Sequence, residues 1–504
     1  MGTADHPVEL IAPLAATVPA ALAGRIAARS PRVVVIGDAV LDTWLSGPAR
    51  RLGRDGPVPV VELVEQTSSP GGAANTAVNL AALGADTELI TLFGDDEATA
   101  TVRAFLRSAG VRTERCVVEP GRRTPIKHRL LAAGQPIARF DVDPQSPPND
   151  HTRLALAHAV TAAIGDGADA VVLADYGLGV VGSAVTAALL AHRAAIALLV
   201  VDARAPGQHR VVHPDVVTPN LAEAAALLGR GEPVRDRVEW VLARRADLVR
   251  ASGGADVLVT LDVDGAVRLP ADPTQPAVRT TARPVAPALA CGAGDTFTAA
   301  YTAAAASHCR PEEALALAQA AADVVVAQPG TTVCTTAALT ARLAETDRGT
   351  LLSQRELLLV LTEHRRRGHR IVFTNGCFDV LHRGHVGYLR QARALGDVLI
   401  VALNSDDSVR RLKGPSRPVN PLEDRASVVG ALACVDLVTA FSEDSPVGLI
   451  EAVRPDVYAK GGDYTPQMLP EAPVVERLGG QVRVLDYLSD HSTTAIVSRI
   501  RERT

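Results

Sequence analysis

The sequence predicts two successive α/β units: a doubly wound sheet carrying a small β lid, then a more compact domain built on a parallel sheet. Three observations carry this. Apolar, β-branched runs of strand length alternate with helical segments, the pattern of strands covered on both faces. Several of those runs end on Asp or Asn, and open α/β sheets bind ligands at the carboxyl ends of their strands. Two strand-to-helix turns, near 292–295 and 375–385, combine glycines with acidic or imidazole side chains.

Bulk composition bounds the rest. A chain of 504 residues makes about three domain-equivalents, or two large ones. At 47% hydrophobic but only 3% aromatic, its cores are expected to be aliphatic and finely packed. A net charge of −5 and a pI near 6.2 give no electrostatic footprint for nucleic acid. Small anions then need local Lys, Arg or helix ends. The cysteines (116, 291, 309, 334, 377 and 434) are scattered without a CxxC, which argues against a zinc site or disulfide framework and for a reducing cytoplasm. The first 30 residues carry Asp5, Glu9 and several prolines without a basic start, so no signal peptide is expected. No run of 18 uncharged apolar residues appears, so no membrane span is expected.

Taken in order, residues 1–30 read as an extension ending in a short amphipathic helix. Arg32-Val33-Val34-Val35-Ile36-Gly37-Asp38 reads as a buried strand running into a turn. The stretches 58–64 and 126–142 lack tight following helices and are expected in the lid. On the second of these, Lys127 and Arg129 share a strand face suited to a phosphorylated sugar, or form a solvated basic edge. Pro70-Gly71-Gly72-Ala73-Ala74-Asn75 leads into an Ala/Leu helix. Strands at 170–175, 198–202, 216–220 and 256–261 follow, alternating with helices.

Gly292-Ala293-Gly294-Asp295 opens another helix. Glycines admit close approach of backbone to phosphate, and the helix start aims N–H groups at the same place. A carboxylate there can accept the proton of an attacking hydroxyl. Taken alone, Asp295 is equally a helix cap. The stretch 338–353 is polar, lacks an apolar stripe and reads as a linker. Residues 354–368 form an amphipathic helix that feeds the strand Ile371-Val372-Phe373-Thr374. After it, Asn375-Gly376 breaks the run, and a helix begins near Arg383. His382 and His385, three apart around Gly384, face the same space if that backbone is helical. Imidazoles at a phosphate-cradling turn suit charge stabilisation in phosphoryl or nucleotidyl transfer. The plain alternatives are two solvated histidines or a metal site. Lys413 and Lys460, after later strands, suit a triphosphate or are solvated lysines.

The strings GGAAN (71–75), TPNLAE (218–223), TLDVDG (260–265) and GAGD (292–295) occur in the order and spacing of the ribokinase-like sugar kinases, and about residues 30–335 resemble that family. GDAVLDTWLSGPARRL, PVPVVE and PGGAANTAVNLAALGA are most similar to its heptose-phosphate kinases. The resemblance implies that Asp38, Asp42, Gly71, Gly72 and Asn75 hold sugar hydroxyls. Lys127, Arg129 and Arg139 would meet the substrate's phosphate. Asn220 and Glu223 would organise Mg²⁺ and its waters, although each is also a natural helix cap. Thr260 and Gly265 would line the nucleotide pocket, Gly292, Ala293 and Gly294 would cradle phosphate, and Asp295 would be the base. The chain departs from the family at Leu289-Ala290-Cys291, where relatives have Asp-x-Thr, which leaves the monovalent cation requirement open. It departs again at Leu178, where the family has Lys, and at Asp202-Ala203-Arg204, where it has Asp-Pro-Lys.

Residues 370–504 resemble the HxGH nucleotidyltransferases, a Rossmann-like family, through FTNGCFDVLHRGH. RLKGPSRPVNPLEDR, YAKGGDY and HSTTAIVSRI are similar to its heptose-1-phosphate adenylyltransferase branch. That likeness implies that His382 and His385 stabilise the α-phosphate and that Asp379, Lys413 and Lys460 contact phosphates or metal. Phe378 would contribute backbone to the phosphate turn, and Ser492, Thr493 and Thr494 would close on the triphosphate.

Domains are thus expected at 31–337 and 354–504, and the order of modules resembles the bifunctional enzymes of ADP-heptose synthesis. The resemblance implies ATP and Mg²⁺, a sugar-phosphate substrate, a separate bisphosphate phosphatase between the two steps, and a homodimer formed through the lid. Two alternatives stay open at this point. One is another sugar kinase joined to a cytidylyltransferase. The other, motivated by Leu178 and Leu289, is a non-catalytic sugar-binding module joined to an active adenylyltransferase.

Overall fold

The computed structural model describes residues 12–13 and 21–485, apart from 55, 145, 234, 284–290, 329, 348–350, 367 and 462–467. The chain forms two compact units, one taking in Leu22–Arg342 and the other Leu343–Thr504.

In the first unit, six parallel strands lie side by side: Asp86–Ile90, Arg32–Gly37, Ala170–Asp175, Leu199–Ala203, Val216–Val217 and Asp256–Thr260. Antiparallel Ala266–Leu269 and Val278–Arg279 extend the sheet, and Ala12–Pro13 closes its edge. Val33, Val34, Val35 and Ile36 are fully buried, as a strand covered on both faces requires. Val34, Ile36, Val171 and Leu173 pack with Leu156, Val160, Val185 and Leu189 from the helices Asp150–Gly165 and Ser183–Ala191. Alternation sends Val33 and Val35 to the other face. The Ala-rich helices Ala73–Ala82 and Ala293–Ala306 pack on each other, and their small side chains allow close approach to the sheet. This approach sets Asn75 beside the first turn of the second helix.

The lid is a four-stranded sheet in the order Gln135–Val142, Ile126–Ala132, Ala39–Gly47, Glu65–Gly72. Only part of it follows the sequence reading. The stretch 58–64 contributes Pro59–Val61 to a separate ribbon with Ala49–Leu52. The lid instead recruits Ala39–Gly47, which continues past Asp38, and Glu65–Gly72, whose Thr-Ser-Ser-Pro-Gly-Gly composition has little strand preference of its own. Pairing along Ala39–Gly47 overrides that local preference.

The second unit is a six-stranded, all-parallel sheet in the order Leu351–Leu352, Leu437–Phe441, Val398–Asn404, Ile371–Gly376, Val457–Gly461, Gln481–Leu485. The stretch read as a linker carries regular structure in its described residues. It carries the end of the helix Thr336–Asp347, and then Leu351–Leu352 joins this sheet, with Thr439 Oγ1 donating to the Leu352 carbonyl at 2.9 Å. Phe373, Ile400 and Tyr458 are buried on one face with Leu357 and Leu361 of the helix Gln354–Arg366. Val372, Leu399 and Val401 face Tyr388, Leu389 and Ala392 of the helix Arg383–Arg393.

Candidate active sites

Asp295 lies in the first turn of Ala293–Ala306. Gly292 caps that helix at φ 80°, a conformation costly for other residues, and a Cβ there would come within 2.5 Å of Asn75 Nδ2. At Gly294 an added Cβ would meet nothing within 4 Å, so the turn leaves open space beside its N–H groups. Both carboxylate oxygens of Asp295 are engaged. Asn75 Nδ2 donates to Oδ2 at 2.8 Å, and the Tyr176 hydroxyl donates to Oδ1 at 2.5 Å. Asn79 Nδ2 donates to Asn75 Oδ1 at 3.0 Å and so orients its amide. Burial pushes the Asp295 acid up to about 6, although the Tyr176 and Asn75 hydrogen bonds favour the carboxylate. Burial, then the neighbouring charges of Asp295 and Glu223, push Asp202 up to about 8.

The lid brings its predicted basic residues to one face. Lys127 pairs with Asp42 on one side and Asp141 on the other, while Arg129 pairs with Trp44 and Arg139. Arg129 donates to Asp42 Oδ1 at 2.6 Å and lies over the Trp44 ring, and Lys127 lies 5.4 Å from the centre of the Tyr176 ring. Arg139 is half-exposed and binds Asp141 through two hydrogen bonds, at 2.9 and 2.6 Å. Gly71 packs against Asp42 Oδ2, and Gly72 against the Tyr176 ring.

Three expectations need correction or narrowing. Asp38, expected to hold sugar hydroxyls, is 1% exposed and accepts from the backbone N–H groups of Tyr176, Leu178 and Val180, each at 3.0 Å. It therefore pins the 176–180 turn instead of facing a sugar. Asn220 and Glu223 form a capping box on Leu221–Leu227, with both reciprocal bonds at 2.9 Å. One Glu223 oxygen is thus occupied, and burial raises its acid. Gly265 has φ 86°, and a Cβ there would strike the Thr280 carbonyl at 2.2 Å, so the hairpin alone demands glycine. Thr260 bridges Asn220 at the same edge. Leu289 falls outside the described residues.

In the second unit, His382 caps the helix Arg383–Arg393, and the His382 and His385 rings lie 3.9 Å apart between centres. Burial, then the charges of His382 and Lys413, push His385 down to about 4. Phe378 adopts φ 43° and packs 5.2 Å from the His385 ring, so the turn bends sharply just where the rings meet. Lys460 donates to Asn375 Oδ1 at 3.1 Å, which also accepts from the Tyr458 hydroxyl at 2.8 Å. Burial lowers the Lys460 ammonium.

Asp379, expected at phosphate or metal, is instead a buried anchor. Its Oδ2 accepts from Arg417 Nε at 2.5 Å, and its Oδ1 from the Val419 and Asn420 N–H groups at 2.7 and 3.1 Å. Its side chain is fully shielded from solvent, so its charge serves the 417–420 loop. Ser492, Thr493 and Thr494 lie outside the described residues.

Three residues escaped the sequence reading. Tyr176 sits in a motif noted only for its missing Lys. Asn375 was read as a strand breaker, yet it anchors Lys460. Arg425, 2% exposed, donates to the carbonyls of Cys377, Asn404 and Asn420 and to Asp406, bracing the turn before Phe378. Arg425 follows Glu423 and Asp424 in the first turn of Leu422–Gly430, and no local pattern there distinguishes a brace from a solvated arginine.

Among the described residues no cluster of three or more His, Cys, Asp or Glu is arranged to hold a metal, and no helix is long and apolar enough to cross a membrane. The six cysteines are free thiols.

Comparison with known proteins now bears on these two sites. Residues 30–338 match the pfkB family of carbohydrate kinases, and residues 373–499 match a cytidylyltransferase-like domain. Phosphofructokinase-2 from Escherichia coli, in complexes with potassium and with fructose-6-phosphate, shares the fold of the first unit. The potassium complex gives a TM-score of 0.51 at 20% identity over 62% of this chain and 98% of that one. The fructose-6-phosphate complex also gives 0.51, at 19% identity over the same shares. Fold and site together define a transferase of two modules, a sugar kinase followed by a nucleotidyltransferase. "Bifunctional protein HldE" of Alcanivorax borkumensis is 39% identical over 94% of this chain and 97% of its own length. The protein of that name from Pelobacter propionicus is 38% identical over the same shares, and that from Azorhizobium caulinodans 39% over 93% and 98%. The chain belongs to this bifunctional HldE family.

Proposed function

We propose that this chain carries out two steps of ADP-heptose synthesis: phosphorylation of D-glycero-β-D-manno-heptose 7-phosphate at C1 by ATP, and adenylyl transfer from ATP to heptose 1-phosphate with release of pyrophosphate. The observation that carries this reading is the pair of strand-to-helix turns, one presenting a half-buried, doubly held carboxylate and the other two imidazoles 3.9 Å apart between centres and tilted by 32°.

In the first step Asp295 takes the C1 hydroxyl proton as that oxygen bonds to the γ-phosphorus and ADP leaves. An acid near 6 is ionised at neutral pH yet basic enough to accept a proton in the transition state. The N–H groups of Gly292, Ala293 and Gly294, with the open space beside Gly294, suit the transferring phosphoryl group. Asp42 meets the sugar, while Asn75, expected there too, is 0% exposed with its amide shared between Asp295 and Asn79 and so holds the base; Lys127, Arg129 and Arg139 meet the 7-phosphate from the lid. Thr260 and Gly265 lie along the nucleotide edge. Mg²⁺ would arrive with ATP, since this ion commonly takes few protein ligands and several from phosphate and water. Glu223, with Asn220, would meet its waters, and the ion would neutralise charge on the phosphates.

In the second step the nucleophile is already an anion, so the site needs positioning and charge stabilisation, with no general base. His385 is neutral at working pH and keeps an N–H to donate. His382, Lys413 and Lys460 hold the α-phosphate and the leaving pyrophosphate beside the Phe378 turn.

The two steps are not consecutive, because the 7-phosphate must leave between them. A separate phosphatase therefore supplies heptose 1-phosphate. Both reactions belong in the cytoplasm, where ATP is made and thiols stay reduced. The lid's apolar residues Ile137 and Phe140 are exposed, which favours a homodimer formed through the lid. Mass spectrometry of products from purified protein, ATP and heptose 7-phosphate tests this reading. The 1,7-bisphosphate is expected alone, and ADP-heptose when a bisphosphate phosphatase is added. Absence of the bisphosphate would refute the kinase step.

A further inference from the structure

The geometry points to Tyr176 as the positioning residue for Asp295, its hydroxyl committed to that carboxylate at 2.5 Å. This rests on Asp295 being the base.

Tyr176 is clamped along its whole length. Its N–H is held by Asp38, its ring edge packs on Gly72, and Lys127 of the lid lies over its ring face. Only the hydroxyl reaches Asp295, at 2.5 Å, and on its other side lies Asp202 Oδ2 at 3.4 Å. A phenol has one proton to give. The shorter contact claims it, and Asp202 Oδ2 stands at the longer distance. Burial, then the negative charges of Asp202 and Asp295, hold the Tyr176 proton firmly in place. The charged groups facing Asp295 are Asp42 and Lys127, and Arg204 acts on Glu223.

In this arrangement Tyr176 fixes which lone pair of Asp295 faces the sugar and favours its ionised form. Lid and base are linked through one ring, since the cation over the ring belongs to the strand expected to meet the substrate's phosphate.

The test compares full-length wild type with Tyr176→Phe and Asp295→Asn in kcat, KM and pH profile for bisphosphate formation. The urea-unfolding transition of the kinase unit in the same samples controls for its folding. Tyr176→Phe is expected to lower kcat about 10- to 100-fold, the worth of a hydrogen bond to a charged group. It should also move the acid limb of kcat to higher pH, with KM for ATP little changed. Loss of activity in Asp295→Asn with an unmoved acid limb in Tyr176→Phe would overturn the positioning role while leaving the base in place. An active Asp295→Asn would overturn the base and this inference together.

Discussion

At the kinase turn burial lifts Asp295 to about 6, and at the transferase turn it lowers His385 to about 4. The same force, loss of solvent around a charge, moves each group toward its neutral form. For the carboxylate this strengthens a base. For the imidazole it guarantees a neutral donor. The difference follows the nucleophiles, because a sugar hydroxyl must lose a proton and a sugar phosphate has none to lose. The supports differ accordingly. Asp295 is gripped on both oxygens by neutral donors, whereas the paired imidazoles are set by a helix start and by a backbone bent at Phe378.

The largest effect that can break this comparison is Asp295→Asn. It should cut bisphosphate formation by about 10²- to 10⁴-fold, the usual contribution of a positioned base, and leave adenylyl transfer intact in the same preparation. His385→Asn is the mirror experiment. Loss of one preorganised donor should slow adenylyl transfer by about 10²- to 10³-fold while phosphorylation proceeds. Asp379→Asn sharpens the comparison differently, because it strips the carboxylate from Arg417 and two backbone amides. Breaking such a buried pair costs about 3–5 kcal/mol, so urea unfolding of the second unit should shift to lower concentration while the kinase unit's transition stays in place.

Acidity gives two smaller effects. The kcat of phosphorylation should fall about tenfold per unit below pH about 6, as Asp295 protonates in the bound complex. The last prediction concerns stability. Asp202 has a folded-state value of about 8, well above its ordinary 3.8. A raised acid favours folding at low pH, and that contribution fades as pH rises from 3.8 toward 8. Asp202→Asn should therefore raise the kinase unit's Tm more at pH 8 than at pH 4.

Much of this was legible in the chain because strands covered on both faces announce themselves. Val33 to Ile36 and Val398 to Leu403 are apolar whatever surrounds them, and a glycine-led helix start is a local signal. The lid was harder to read. Glu65–Gly72 is a strand only because Ala39–Gly47 lies beside it, and no window of sequence contains that pairing. Among the site residues, Asn75 and Asp295 sit 220 positions apart yet within hydrogen-bonding reach, as their two motifs implied. Asp38 and Asp379 were misjudged for one physical reason. A carboxylate beside a ligand turn looks the same in sequence whether it faces the ligand or the backbone amides that shape the turn. Tyr176 and Arg425 were missed because their value lies in what they hold.

The account's central claim is that two independent anion sites work through a freely released intermediate. Mixing Asp295→Asn and His385→Asn proteins tests it most directly, with heptose 7-phosphate, ATP and a bisphosphate phosphatase in one vessel. Each variant alone should make no ADP-heptose, and the mixture should restore it, because the kinase of one protein feeds the transferase of the other. A mixture of folded proteins that stays silent would contradict the claim.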